Sequence, residues 1–152
     1  MKKLSFLLTI VLVSSMLAYA GDPVNLMPAP QKVVLTGGQF KIDTDFSIAI
    51  NGQPAEFVFY RADDFLRRLA GRTGLFITQE RIRPDRTNPE NPLLTVHVDK
   101  PGELEMGTDE SYSIKISENK ILLTASTSFG ALHGLETLLQ LLSNNQDLLS
   151  RK

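Results

Sequence analysis

Two pairs of adjacent carboxylates, Asp63-Asp64 and Asp109-Glu110, have the types and spacing that could do acid/base chemistry. Such work needs groups whose pKa values are pushed apart by burial or by each other's charge. The stretch Glu56 to Ala70, placed on a helical wheel, puts Phe65, Val58, Leu69, Ala62, Leu66, Phe59 and Ala70 on one arc. Asp63, Asp64, Arg61, Arg67 and Arg68 fall opposite. The first carboxylate pair is therefore expected on a solvated helix face, where nothing shifts a pKa. Asp63 with Arg67 and Asp64 with Arg68 are expected i, i+4 ion pairs, each contributing roughly 0.2–0.5 kcal/mol. The second pair falls in an acidic loop with Glu103 and Glu105. The two histidines, His97 in a predicted strand and His133 on a predicted helix, have no Ser-His-acid or metal-ligand spacing around them, so both read as structural. Gly37-Gly38 lacks the helix and lysine that a phosphate loop needs, and Gly71-Arg-Thr-Gly74 leads from a helix into a strand, the wrong order. Arg81, Arg83 and Arg86 read as an exposed basic loop. No catalytic, cofactor-binding or metal-binding residue is expected.

The elements around these residues follow from apolar periodicity. Asp22 to Pro30, with three prolines, should run extended along the surface. Val33–Leu35 and Gln39–Ile42, joined through Gly37-Gly38, read as short strands, as do Ser47–Ile50 before Asn51-Gly52 and Leu75–Thr78. Pro54 favours a helix start and Gly71 a stop. A polar connection, Glu80 to Pro92, leads to Leu93–Val98, an apolar run of a central strand. Tyr112, Ile114 and Ile116 alternate with polar residues, Glu118-Asn119 turns the chain, and Lys120–Ala125 returns as the partner strand. The expected class is α+β: a mixed, largely antiparallel sheet of about five or more strands with two helices packed on one face.

The second helix, Ser128 to Leu142, organises the rest. Leu132, Leu139, Leu135, Leu142, Ala131, Leu138, Gly134 and Leu141 fill roughly half its circumference, leaving a narrow polar stripe of Glu136, Gln140, His133 and Thr137. Leu132, Leu135 and Leu139 suffice to cover a sheet, so Gly134, Leu138 and Leu141 are expected to face something else. The ten residues after Leu142 are mostly polar and do not supply that cover. Thr127 or Ser128 is the expected N-cap.

Three pieces, Leu26-Met-Pro-Ala-Pro-Gln-Lys-Val33, Glu110–Ser117 and Gly130–Leu142, in this order and spacing, resemble the N-terminal domain of family-twenty glycoside hydrolases, the β-N-acetylhexosaminidases, over about Asn25 to Leu142. The resemblance implies a small domain lying against a (β/α)₈ barrel that packs on Gly134, Leu138 and Leu141. It also implies hydrolysis of terminal β-linked N-acetylhexosamines, in which the sugar's own acetamido oxygen attacks the anomeric carbon. The family's sequential Asp-Glu pair sits on the barrel. Asp109-Glu110 is the one Asp-Glu dipeptide here, but it precedes the hairpin of the small domain and does not match that context. A barrel takes about 250 residues. The expected organisation is residues 1–20 a signal peptide, 21–142 the N-terminal domain, and 143–152 a polar tail without a barrel. The chain is then an accessory domain of a truncated or split enzyme, inactive alone. The alternative is a stand-alone secreted protein- or carbohydrate-binding module, against which 7% aromatics and no Trp weigh for sugar stacking.

Met1-Lys-Lys3 as a basic start, Leu4 to Leu17 as an apolar run and Ala18-Tyr-Ala20 as a cleavage site read as an export signal, leading to the periplasm or beyond. About fourteen apolar-rich residues are too few for a membrane span. Cys is absent, so packing must stabilise the fold. With 16 basic and 17 acidic side chains, charge gives no reason to expect nucleic acid or an anionic membrane as partner.

Overall fold

Alternate apolar residues on three neighbouring strands fall into register and make a single oily face. The computed structural model describes residues 26–37 and 39–149. Its strands are β1 (Ile48–Gly52), β2 (Leu94–Lys100), β3 (Tyr112–Ile116) and β4 (Ile121–Thr127). Helix α1 (Phe57–Thr73) lies between β1 and β2, and α2 (Ser128–Leu149) follows β4 directly. The sheet order is β1-β2-β4-β3. Ile48 aligns with Leu94 and Leu94 with Ile121; Ile50 aligns with Val96, Val96 with Leu123 and Leu123 with Ile114. Leu94, Val96, Val98 and Leu123 are fully buried. Thr95, His97 and Thr124, on the opposite face, are only half-buried.

Both helices contribute to the core on that oily face. Val58, Ala62, Phe65, Leu66 and Leu69 come from α1, and Ala131, Leu135, Leu138 and Leu139 from α2. Phe46, just before β1, stacks at a tilt on Phe65 with ring centres 6.3 Å apart. Helix α2 packs on β2, β3 and β4 and also along α1.

The α+β class and the two helices are as expected, and the sheet is mixed. It differs in having four strands among the described residues and two parallel pairings out of three. β1 and β2 are parallel because α1 carries the chain back between them, and β2 and β4 are parallel because the antiparallel strand β3 comes between them in the chain and lies beyond β4 in the sheet. Val33–Leu35 and Gln39–Ile42 join no ladder: Phe40 and Ile42 pack against the core, while Val34 and Leu35 stay exposed. Leu75–Thr78 alternates in exposure as a strand would, yet the edge of β1 beside it is occupied by side chains. Gln79 Oε1 accepts from the N–H of Ile48 at 2.7 Å and its Nε2 donates to the same residue's carbonyl at 3.0 Å. Asn88 does the same for Ile50, with both bonds at 3.0 Å.

Two boundaries also differ, while the β3–β4 turn falls at Glu118-Asn119 as expected. Helix α1 runs through Gly71 and stops at Gly74, whose left-handed backbone (φ 70°) lets its N–H reach the carbonyl of Ala70. Helix α2 continues to Leu149, seven residues past Leu142. The β3–β4 turn needs no positive φ at Asn119; the N–H of Ser117 donates to the Lys120 carbonyl at 2.9 Å, and the Ser117 hydroxyl donates to the same oxygen. Gly37 has the positive φ of a turn, but its neighbour Gly38 and residues 1–20, expected to be an export signal, lie outside the described residues.

Candidate functional site

Helix α2 begins where β4 ends, and its first turn is held by hydroxyls. Thr127 is the cap, its Oγ1 accepting from the N–H of Gly130 at 3.4 Å and donating to the Asp109 carbonyl at 2.6 Å. Ser128 instead accepts from the N–H of Ala55 at 2.8 Å, which fastens the entry of α1 to the start of α2. Gly130 is required here, since a Cβ would lie 2.6 Å from the carbonyl oxygen of Ser111.

Further along α2, the polar stripe of the wheel is fully employed. His133 Nε2 lies 3.0 Å from a Glu110 carboxylate oxygen. Glu136 accepts from both terminal guanidinium nitrogens of Arg68 on α1, one of them at 2.9 Å. Thr137 and the Tyr112 phenol share a hydrogen bond of 2.6 Å. Gln140 holds the backbone of Met27 at two points, accepting from its N–H at 2.9 Å and donating to its carbonyl at 2.8 Å. Four side chains thus join the helix to the loop before β3, to α1, to β3 and to the N-terminal lead-in.

The apolar arc is equally occupied, and this corrects the expectation that Gly134, Leu138 and Leu141 face a missing neighbour. Gly134 is buried against the sheet, so close that a Cβ would lie 2.2 Å from a Leu123 methyl. Leu138 is 4% exposed, enclosed by this chain's own residues. Leu141 and Leu142 are half-buried and pack on the core's margin. The arc is wide because it covers both a sheet and α1; the wheel counted oil correctly but could not see that α1 lies alongside.

The carboxylate candidates are separated and committed to structure. Asp63 accepts from the N–H of Ile82 at 3.2 Å and faces Arg81 at 3.6 Å, not Arg67. Asp64 pairs with Arg67, and Arg68 turns mainly to Glu136, leaving Asp64 3.9 Å away. Asp109 closes a local turn: hydrogen bonds from the Ser111 hydroxyl, then the Ser111 N–H, then the Ser126 hydroxyl, hold its carboxyl below the ordinary range. Glu110 is taken by His133. His97 lies 3.3 Å from Asp99, both pointing from the polar face of the sheet.

The basic loop divides. Arg86 folds back on the Glu80 carbonyl, whereas Arg81 and Arg83 line an open depression with Glu56, Tyr60, Pro84 and Asp85. Tyr60 donates to Glu56 at 2.8 Å, and that bond with the carboxylate's charge raises its pKa. Among the described residues no group of three or more His, Asp or Glu side chains could hold a metal ion, and no helix is long and apolar enough to cross a membrane. Gln79, Asn88 and Gln140, each bonded twice to one backbone residue, were not legible as functional from sequence. A polar amide in a polar stretch carries no periodic signal.

Residues 26–141 match the family described as beta-acetyl hexosaminidase like. Among curated proteins the chain is 25% identical over 138 residues to Beta-hexosaminidase subunit A2 of Dictyostelium discoideum, covering 90% of this chain and 24% of that protein. It is 31% identical over 126 residues to subunit A1 of the same organism, covering 82% and 22%. Among solved structures it superposes on the Flavobacterium johnsoniae chitobiase with a TM-score of 0.73 at 44% identity, covering 77% of this chain and 18% of that one. The chain therefore spans about a quarter or less of these proteins' lengths.

Proposed function

The chain belongs to the beta-acetyl hexosaminidase-like family, as the N-terminal domain of family-twenty glycoside hydrolases, and on that premise we propose that it is an accessory, non-catalytic domain of an exported β-N-acetylhexosaminidase-like enzyme. The observation that carries the non-catalytic part is the engagement of its carboxylates: Asp63, Asp64, Asp109, Glu110 and Glu136 each hold a structural partner. None of the five is the kind of buried, unpaired acid that protonates a leaving group.

The proposed partner is a catalytic barrel, which would release terminal N-acetylhexosamines. With Gly134 and Leu138 enclosed, the surface left for it is the margin of α2 at Leu141 and Leu142, together with the lead-in that Gln140 secures. That lead-in exposes Met27, Val33, Val34 and Leu35. Export through Met1–Ala20 belongs to the same proposal, and an N-terminus beginning at Gly21 in protein recovered from the periplasm or medium supports it.

The test is to assay the full chain on a chromogenic β-N-acetylglucosaminide, alone and mixed with the Flavobacterium johnsoniae chitobiase from which the matching 18% has been deleted. The expected result is no turnover by the chain alone and a raised melting temperature of the deleted enzyme in the mixture. Hydrolysis by the chain alone overturns the non-catalytic assignment.

A further inference from the structure

In a β-strand, successive residues send their N–H and C=O groups to opposite edges. Ser47 accepts from Leu94 and Gln53 donates to Val98, so the odd-numbered residues of this strand serve the ladder with β2. Ile48 and Ile50 therefore direct their backbone groups to the free edge. Those four groups meet the amides of Gln79 and Asn88, at 2.7–3.0 Å, in the donor–acceptor pattern that a neighbouring peptide backbone would offer. Asn88 also donates to the side-chain oxygen of Asn51 at 2.9 Å, which fixes its plane.

The two edges of the sheet are treated differently. The outer strand β3 carries Lys115, a charge that discourages strand addition. The outer strand β1, Ile48-Ala-Ile-Asn-Gly52, has no charge and no proline, and Ile48, Ala49 and Ile50 are all buried. Its backbone groups, with no charge or proline on the strand to repel another chain, are a template for another extended strand. The connection that supplies Gln79 and Asn88 contributes no strand of its own, yet it is pinned at a third point, where the Ile82 N–H reaches Asp63 on α1.

We infer that the connection from Gln79 to Asn88 is an edge guard, whose two amides imitate a fifth strand and keep β1 from pairing with β1 of a second copy. It gives the long polar loop a task independent of any catalytic partner.

The test uses the full chain, with hydrogen exchange followed residue by residue and mass by light scattering. In the unaltered protein the Ile48 and Ile50 amides are expected to be protected and the protein monomeric. Gln79→Ala is expected to speed exchange at Ile48 about tenfold, the factor that losing one ordinary hydrogen bond implies, while leaving Ile50 protected; Asn88→Ala does the reverse. Gln79→Glu, which keeps the acceptor, retains protection of Ile48. The double alanine variant is expected to associate as concentration rises. Ile48 and Ile50 amides that exchange as fast as open loop amides in the unaltered protein overturn the inference, as does a folded double variant that stays monomeric. Should the double variant fail to fold, the site-selective losses in the single variants decide.

Discussion

Arg68 on α1 grips both carboxylate oxygens of Glu136 on α2, so the two helices are joined by a charged fork as well as by their shared core. The hydrogen bond to Glu136 raises the Arg68 pKa further above its ordinary value. Both side chains remain wet, at 37% and 53% exposed, so solvent screens the pair. A double-mutant cycle of Arg68→Ala and Glu136→Ala is expected to give a coupling of about 0.2–1 kcal/mol, shrinking as salt rises. A coupling that salt leaves untouched would mean the contact is packing and not charge.

Leu138 distinguishes a core helix from an interface helix. Because this chain already encloses it, Leu138→Ala should cost about 2–5 kcal/mol in the isolated protein, measured by urea denaturation. Leu141→Ala, at the half-buried margin, should cost clearly less. Equal small losses at both positions would restore the view that this side of α2 awaits a partner.

Three glycines in helices have opposite prospects. Gly71 lies in the last turns of α1 with nothing within 4 Å of where a Cβ would sit, so Gly71→Ala should stabilise by about 0.5–1 kcal/mol. Gly134→Ala would press on the flexible end of Leu123 and cost about 1–3 kcal/mol. Gly130→Ala meets backbone oxygens of Glu110 and Ser111, which cannot swing aside, so it should be the worst of the three. Thermal melts of the set check the order.

Asp109 sets an acid limb. Its folded-state pKa is depressed, so its contribution to stability is present above the unfolded-state value and is lost as pH falls through the folded one. Asp109→Asn should therefore melt below the unaltered protein near neutrality, with the gap closing as pH falls below about 4. A gap constant down to the acid limb would show that the carboxylate's charge is not what the Ser111 and Ser126 hydroxyls recognise.

Sequence patterns carried most of the core. The apolar run at Leu94–Val98 and most of the two wheels locate buried residues, and the alternation in Tyr112–Ile116 locates Tyr112 and Ile114 on the core's margin, while Ile116 is exposed and Leu132 only half-buried. Strand pairing was less legible: parallel order depends on where α1 returns the chain and on β3 lying outside β4, and no local pattern states either. Val33–Leu35 and Leu75–Thr78 have strand composition without a free ladder to join. The Asp64–Arg68 pair forms but is held at 3.9 Å, because Glu136, sixty-eight residues from Arg68, competes for the guanidinium, and Asp63 turns from Arg67 to Arg81 and the Ile82 N–H. For the candidate site, the sequence placed the carboxylates and histidines on their elements, but the partner that each one takes depends on the tertiary fold. The three paired amides needed coordinates, because their partners are backbone groups that every residue possesses.

The grip of Gln140 on Met27 brings positions 113 apart in sequence side by side. The family match runs from 26 to 141, so the first and last residues of the matched unit sit at one doorway. Such a unit can be spliced into a longer polypeptide, or have its order of elements cut and rejoined, without its two connections having to cross the fold.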